Sequence, residues 1–561
     1  MMALWSTLGW RTRSLALPSL VVLSLAMTNA ALTPHSSRAS SQAAPSGVLT
    51  ISREGNTTFT RNFNPFSPNA LYGTIEAIYE PLIIYDPVTS KVVPWLATGY
   101  SWGSSGKSLT FTIRPHVLWS DGTPFTAHDV TFTFALARKI LGPSTYPYLS
   151  TVTAIGGSGV RFTFNRPYSP GLYELGQQLI VPQHVWATVK DPVNFTNPNP
   201  VGTGPFTVVE SFQPQVYELD RNPSYWQPGK PYIQGIRVPA YPGNDQANLA
   251  TINGENDWAD QYIPDIAKTF VARDPQHNHF WFPALAYTVQ LYLNTAHKPF
   301  DNPNVRKAIS MAINRRQDVL IGEYGYTHPA DATGLSDAFN TWRDPAAVRA
   351  GYWTNLDITK ANQLLDAAGL KKGPDGIRRL PNGAPMRYGI IVGAASTDWV
   401  ASSEVIAQNL RQIGLDVTVK AQDWNTVIDE MQKGQYDMAH AWSSNGATPY
   451  DFYRGVMSSE TYQPVGTVAY ENYGRYVDPK ADALLKQFAA TFNVAKQKAL
   501  VKQLQMLYVQ DAPAVPLFPL PSWGEYTTKR FTGFPNENNP YATLETRDPT
   551  AVIVLTTVKP V

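Results

Sequence analysis

A chain of 561 residues without a cysteine has length for about three domains at roughly 100–200 residues each, and it cannot build disulfides, zinc–thiolate sites, iron–sulfur clusters or a thiol nucleophile. Lys+Arg number 45 against 43 Asp+Glu. Arg11 and Arg13 lie in a segment expected to be removed, so the remainder is formally neutral and lacks the basic excess that binding nucleic-acid phosphates requires. The N-terminus (1–30) reads as a secretory signal: Arg11 and Arg13 precede the mostly apolar, uncharged stretch Ser14 to Met27, and small residues follow, with cleavage expected after Ala30. The apolar stretch contains Pro18 and falls short of the ~20 residues that span a membrane. Residues 31–47, rich in Ser and Ala, read as a flexible lead-in. The protein is therefore expected outside the cytoplasmic membrane, periplasmic or extracellular, with no cysteine to carry a lipid anchor.

Further along, strand-like and helix-like segments alternate. Leu109 to Ile113 and Val160 to Phe164 alternate apolar and polar residues, as half-buried strands do. The spacing of Val305, Ala308, Ile309, Ala312 and Ile313 predicts an amphipathic helix over 304–321. Shorter helices are expected over 359–370, stopped by Gly369, and over 404–413, closed by Gly414. An alternating strand, Leu415 to Val419, follows, and 481–508 reads as two consecutive helices. The mixture is α/β rather than bundle or sandwich. Proline-rich joints at 197–200 and 513–516 mark plausible crossings between lobes.

Motifs of catalysis and metal binding are weak. His277 and His279 are the only close histidine pair, and neither an HExxH nor a G-x-S-x-G sequence occurs. Ser101 to Ser108 ends like a phosphate loop, but it begins with Ser, lies between strands and opens no helix, so it reads as a polar turn. Asp257 and Asp260 could in principle do glycosidase chemistry, which needs two carboxyls about 5–10 Å apart. Spacing alone does not establish that separation, and hydrogen-bonding or surface roles are commoner. No metal or cofactor is expected.

Several segments together carry a signature: Tyr79-Glu80-Pro81-Leu82-Ile83, Pro94-Trp95-Leu96-Ala97, the run Leu118 to Val130, Pro200 to Phe206, Leu293-Asn294, Asn304 to Arg315, and Ala361 to Gly369. In order and spacing they resemble the family 5 extracellular solute-binding proteins of ABC importers, from about Val48 to the C-terminus. The resemblance implies an α/β, two-lobed periplasmic-binding-protein-like fold with an extra domain inserted in the first lobe. It implies hinge closure over a ligand and a membrane permease as partner, with no enzymatic activity; a monomer is expected. Residues 48–73, 200–283 and 513–561 are expected to form lobe I, 74–199 the inserted domain and 284–512 lobe II.

In peptide-binding members of that family, a loop after a strand supplies an Asp for the peptide's α-ammonium. The corresponding stretch here resembles Ala441 to Phe452, where Asn445 stands at the expected Asp and Asp451 is a nearby substitute. An Asn offers one acceptor and a donor group suited to neutral hydroxyls. The segments Asn253 to Pro264 and Thr448 to Tyr453 are similar to those of cello-oligosaccharide and β-glucan binders. Trp258, Trp399 and Trp442 are therefore expected to present flat faces to sugar rings, with Asn445 and Thr448 at the polar rim. An oligosaccharide is the favoured ligand; an oligopeptide or dipeptide is the alternative, with nickel or a secreted glycoside hydrolase as remoter ones.

Overall fold

Three larger sheets, three smaller ones and the helices packed on them organise residues 47–561, the part that the computed structural model describes apart from Pro68, Pro143 and Ser144. The expected signal (1–30) and lead-in up to residue 46 lie outside the described residues. Among the described residues no helix is long and apolar enough to cross a membrane.

In the first sheet, Val48–Thr50 runs parallel to Gly235–Tyr241, followed by antiparallel Val216–Arg221 and Phe206–Gln213. Arg53–Glu54 extends the pairing along Gly235–Tyr241. The two-residue period of a strand puts Leu49, Tyr217, Leu219, Ile236 and Val238 into one core. A small sheet of Trp258–Ala259, Glu525–Thr527 and Asn278–Phe280 adds Trp258 and Tyr526 to that core. This lobe is assembled from segments far apart in the chain.

The second sheet has the order Asp416–Gln422, Arg387–Gly393, Met438–Trp442, Ala284–Leu293, Val515–Pro521. Its first three strands are parallel, and Ala284–Leu293 is antiparallel to both neighbours. Parallel neighbours need long crossovers, and the helices Thr397–Arg411 and Trp424–Lys433 supply them. The third sheet is wholly antiparallel: Ala97–Trp102, Ser108–Ile113, Gly159–Phe164 and Leu149–Ile155. Its covering helix, Ala127–Leu141, starts where the Thr126 backbone N–H donates to Asp129 Oδ2 at 2.8 Å and the Thr126 hydroxyl oxygen accepts from His128 N at 3.2 Å. The stretch 101–108 closes a hairpin of this sheet, with Gly103 N donating to Ser108 O at 2.9 Å.

Several expectations need correction. Residues 513–561 do not all belong to lobe I, because Val515–Pro521 is the edge strand of the second sheet and the chain leaves for the first lobe only afterwards. Residues 74–79 do not belong to the inserted domain: Ala77, Ile78 and Tyr79 are buried with Leu219 and Ile236 in the first core. The helix over 304–321 is two helices, Pro303–Ala312 and Arg315–Ile321. Asn314 breaks it by accepting from Gln317 N at 3.2 Å, which caps a new helix. Gly202 and Gly204, by contrast, sit where the chain passes close to another backbone segment: a Cβ at either position would overlap a carbonyl oxygen of Ile78 or Ala77.

Candidate functional site

Strand Met438–Trp442 ends, and the two crossover helices begin, at the C-terminal edge of the parallel strands, where α/β folds hold ligands. A cavity of about 940 Å³ opens there. The second-lobe side supplies Trp399 and Trp424 from the helices, Trp442 from the strand end and Asn445 from the following loop. Facing them are Arg53, Glu54 and Tyr72 from the first lobe, Asp260 to Tyr262, Tyr85 and Gln177, and the C-terminal stretch around Glu545 to Asp548.

Three indoles form one wall. Trp424 lies 5.7 Å from Trp399 and 5.2 Å from Trp442, centroid to centroid, and Trp399 lies 5.9 Å from Trp442. Trp399 is backed by His440, stacked at 5.1 Å with 10° between planes. Trp424 Nε1 donates to Ser396 Oγ at 3.3 Å. On the opposite side Trp523 meets Tyr262 edge-to-face at 5.6 Å. Burial and then Glu545 and Asp548 push the Tyr287 hydroxyl upward in pKa, and the nearby Asn445 amide opposes that rise.

The charged groups are unevenly matched. Arg547 donates from Nε to Asp260 Oδ2 at 3.0 Å and from Nη2 to Glu54. Burial of Glu54 opposes its ionisation, yet the charges of Arg547 and Arg53 hold its carboxyl below the usual range. Asp398, in the first turn of its helix, accepts from Asn244 Nδ2 at 3.3 Å. Burial pushes Asp398 up to about 7, with the Trp399 backbone N–H opposing and Glu54 adding to the rise. Glu545 rises to about 8 through burial and then the charges of Asp260 and Asp548, with Arg547 opposing. Asn244 N also donates to Ala395 O at 3.2 Å, so the first-lobe helix Asn244–Ile252 meets the second lobe at the cavity's edge.

Of the residues singled out in the sequence, Trp399, Trp442 and Asn445 come together in this cavity. Trp258 does not. It is 0% exposed in the first core, with Nε1 donating to Leu544 O at 2.7 Å and Phe534 at 6.2 Å. The cause is strand parity: in the short strand Trp258–Ala259, Trp258 turns into the core while Asp257 binds Thr50 N at 2.7 Å and Arg530 Nε at 2.9 Å. Thr448 caps helix Pro449–Met457, its hydroxyl accepting from Tyr450 N at 3.4 Å, and does not line the cavity. Asp451 also lies outside the lining: its carboxylate occupies the space that a Cβ at Gly446 would fill. Burial and then Glu174 push the Asp451 pKa well upward, against the pull of Arg454.

Asp257 and Asp260 each face a different arginine, and only Asp260 reaches the cavity. His277 pairs with Asp274 at 2.9 Å, and His279 packs on Tyr526 at 5.2 Å. Among the described residues no group of three or more His, Cys, Asp or Glu is placed to hold a metal ion. Sequence reasoning missed Trp424, Trp523, Tyr287 and the segment Glu545 to Asp548. Trp424 had a local signal, since it follows the Asp423 N-cap directly after a strand; the C-terminal segment had none.

Residues 91–464 match the family model described as bacterial extracellular solute-binding proteins, family 5 Middle. The nickel-binding periplasmic protein of Escherichia coli K12 is 26% identical over 506 residues, covering 86% of this chain and 90% of that one. Di/tripeptide-binding protein 2 of Pseudomonas aeruginosa UCBPP-PA14 is 24% identical over 551 residues, covering 90% and 94%. Among solved structures, a mannohexaose-bound periplasmic oligopeptide-binding protein of an oligopeptide ABC transporter from Thermotoga maritima superposes with a TM-score of 0.84. It is 27% identical, over 92% of this chain and 99% of that chain.

Proposed function

The chain belongs to the bacterial extracellular solute-binding proteins of family 5, and from that premise we propose that it captures an oligosaccharide in the cavity and delivers it to the membrane permease of an ABC importer. The observation that carries the ligand class is the wall of Trp399, Trp424 and Trp442 beside the Asn445–Tyr287 pair. Sugar rings have apolar faces and hydroxylated rims. Indole faces stack on the first, and a neutral amide, which both donates and accepts, serves the second. The volume of about 940 Å³ lies near the upper end of the ~300–1,000 Å³ usual for ligand pockets, which suits an oligomer. The mannohexaose held by the Thermotoga maritima relative supports the same reading. Capture involves hinge closure of the two lobes around the solute, and no bond is broken.

A peptide is the second reading, favoured by the di/tripeptide-binding relative. Thermal shift followed by calorimetry with mannohexaose, cellohexaose and a set of tri- to pentapeptides separates the two. A ligand at 100 times its Kd stabilises the folded state by about 2.7 kcal/mol. Saturable binding of a hexaose without product release supports the proposal. Tight peptide binding with no response to either hexaose refutes the sugar reading and leaves the receptor reading standing.

A further inference from the structure

Three carboxyl groups lie together beneath the seam between the lobes. Glu323 and Asp318 are 0% exposed and Asp398 4%. Glu323 follows the helix Arg315–Ile321, whose Asp318 accepts from Ser402 Oγ at 2.5 Å. Asp398 lies in the first turn of the helix that carries Ser402. Gly322 lets the two helices approach, since a Cβ there would meet Ser402 Cβ at 2.8 Å.

No cation offsets Glu323. Neither of its oxygens has a hydrogen-bond partner, and Asp318 Oδ2 has none. The charges that act on Glu323 are those of Asp398 and Asp318, and burial together with them pushes its pKa well upward. Of the three acids, Arg315 acts on Asp318 only; its guanidinium donates to the carbonyls of Pro516, Ser310 and Thr354 and to Ser310 Oγ. Glu54, which acts on Asp398 from the first lobe, is bound by Arg547. His440 meets the helix Thr397–Arg411 at Ser403, 2.9 Å away, and pairs with none of the three. Among the described residues no acidic group is placed to hold a metal ion. Unmatched carboxylates buried together are unfavourable, and a proton is the remaining means of neutralising them.

The first lobe covers these acids. Tyr262, which lines the cavity, stands close to Asp398 and Glu323, whose charges add to the effect of burial in raising its hydroxyl pKa. Asn244 Nδ2 donates to Asp398 Oδ1 at 3.3 Å. Three residues past Glu323, the Tyr326 hydroxyl donates to Ile263 O at 3.0 Å and accepts from Ile266 N at 2.8 Å.

We propose that Asp318, Glu323 and Asp398 form a proton-binding site coupled to lobe closure: the closed form holds a proton that the open form releases. The inference rests on the reading of a receptor that closes over its solute, not on the class of solute. Opening withdraws Tyr262 and Asn244, water reaches the carboxyls, and hydration favours their ionised form. Acid therefore favours the closed form and alkali the open one. For one proton, the closed-to-open ratio changes by up to about tenfold per pH unit.

The chain has no cysteine, so Gln215→Cys and Lys420→Cys, exposed on the first and second lobes, accept a pH-insensitive donor–acceptor dye pair. Energy transfer in the free protein is expected to rise from pH 8.0 to 5.5, with the closed-to-open ratio increasing at least about fivefold. Glu323→Gln mimics the neutral acid and should show at pH 8.0 the transfer that its parent shows at pH 5.5, with little further change. Asp398→Asn should act in the same direction. Calorimetry with mannohexaose at pH 7.0 in phosphate and in Tris, whose ionisation enthalpies differ, counts protons. Uptake of about 0.5–1 proton per hexaose is expected for the parent and near zero for Glu323→Gln. Flat energy transfer across the pH range overturns the proposal, as does a Glu323→Gln protein that keeps its parent's pH response or proton count. If mannohexaose does not bind, the oligosaccharide reading loses its support, and the energy-transfer result still decides the proton site.

Discussion

Removing His440 should change how stability responds to acid, by an amount that can be worked from the structure. The imidazole lies on strand Met438–Trp442 and is 0% exposed. It stacks on Trp399, lies 6.2 Å from Phe518, and its Nδ1 is 2.9 Å from Ser403 Oγ. Nε2 has no partner. Burial alone lowers its pKa from 6.5 to about 3. Below pH 6.5 the unfolded chain therefore takes up a proton that the folded protein refuses. The unfolded state binds more protons, so stability falls as pH drops from 6.5 towards 3. Relative to pH 7.5, this one group should cost about 1.4 kcal/mol at pH 5.5 and about 2.7 kcal/mol at pH 4.5. Urea unfolding of the protein and of His440→Gln across that range reads the effect. The variant should be the less stable at pH 7.5, having lost the stack, and the gap should narrow by those amounts on acidification. Parallel stability curves would refute the reasoning.

Trp258→Ala should destabilise by about 3–5 kcal/mol in urea unfolding, since it empties a core site and leaves Leu544 O without its donor; a loss under about 1 kcal/mol would contradict the core placement. Trp442→Ala, at a half-buried cavity position, should instead weaken hexaose binding by about 1–3 kcal/mol in calorimetry and scarcely move the urea midpoint. An unchanged affinity would remove Trp442 from the site. Gly204→Ala should cost at least about 1–3 kcal/mol, because its methyl group would overlap the Ala77 carbonyl oxygen, and a wild-type midpoint would show that the close approach is not maintained.

What the sequence by itself determined was local. The alternation in Leu109 to Ile113 and Val160 to Phe164 produced strands because a pleated backbone exposes alternate residues to one core. Gly369 and Gly414 ended their helices with φ of 79° and 83°, a region that glycine enters without steric cost. The family resemblance carried the two-lobed fold, and Trp399, Trp442 and Asn445 were found because they lie near the ends of one strand and one helix. Only the tertiary structure decided the remainder. Whether Trp258 faced a cleft or a core depended on a strand pairing with residues more than 260 positions away. Glu545 and Arg547 reached the cavity because the chain, after completing the second sheet with Val515–Pro521, returned to the first lobe. Contacts at such separations leave no period or spacing in the sequence, since they depend on where folded elements dock and not on how any one of them is written.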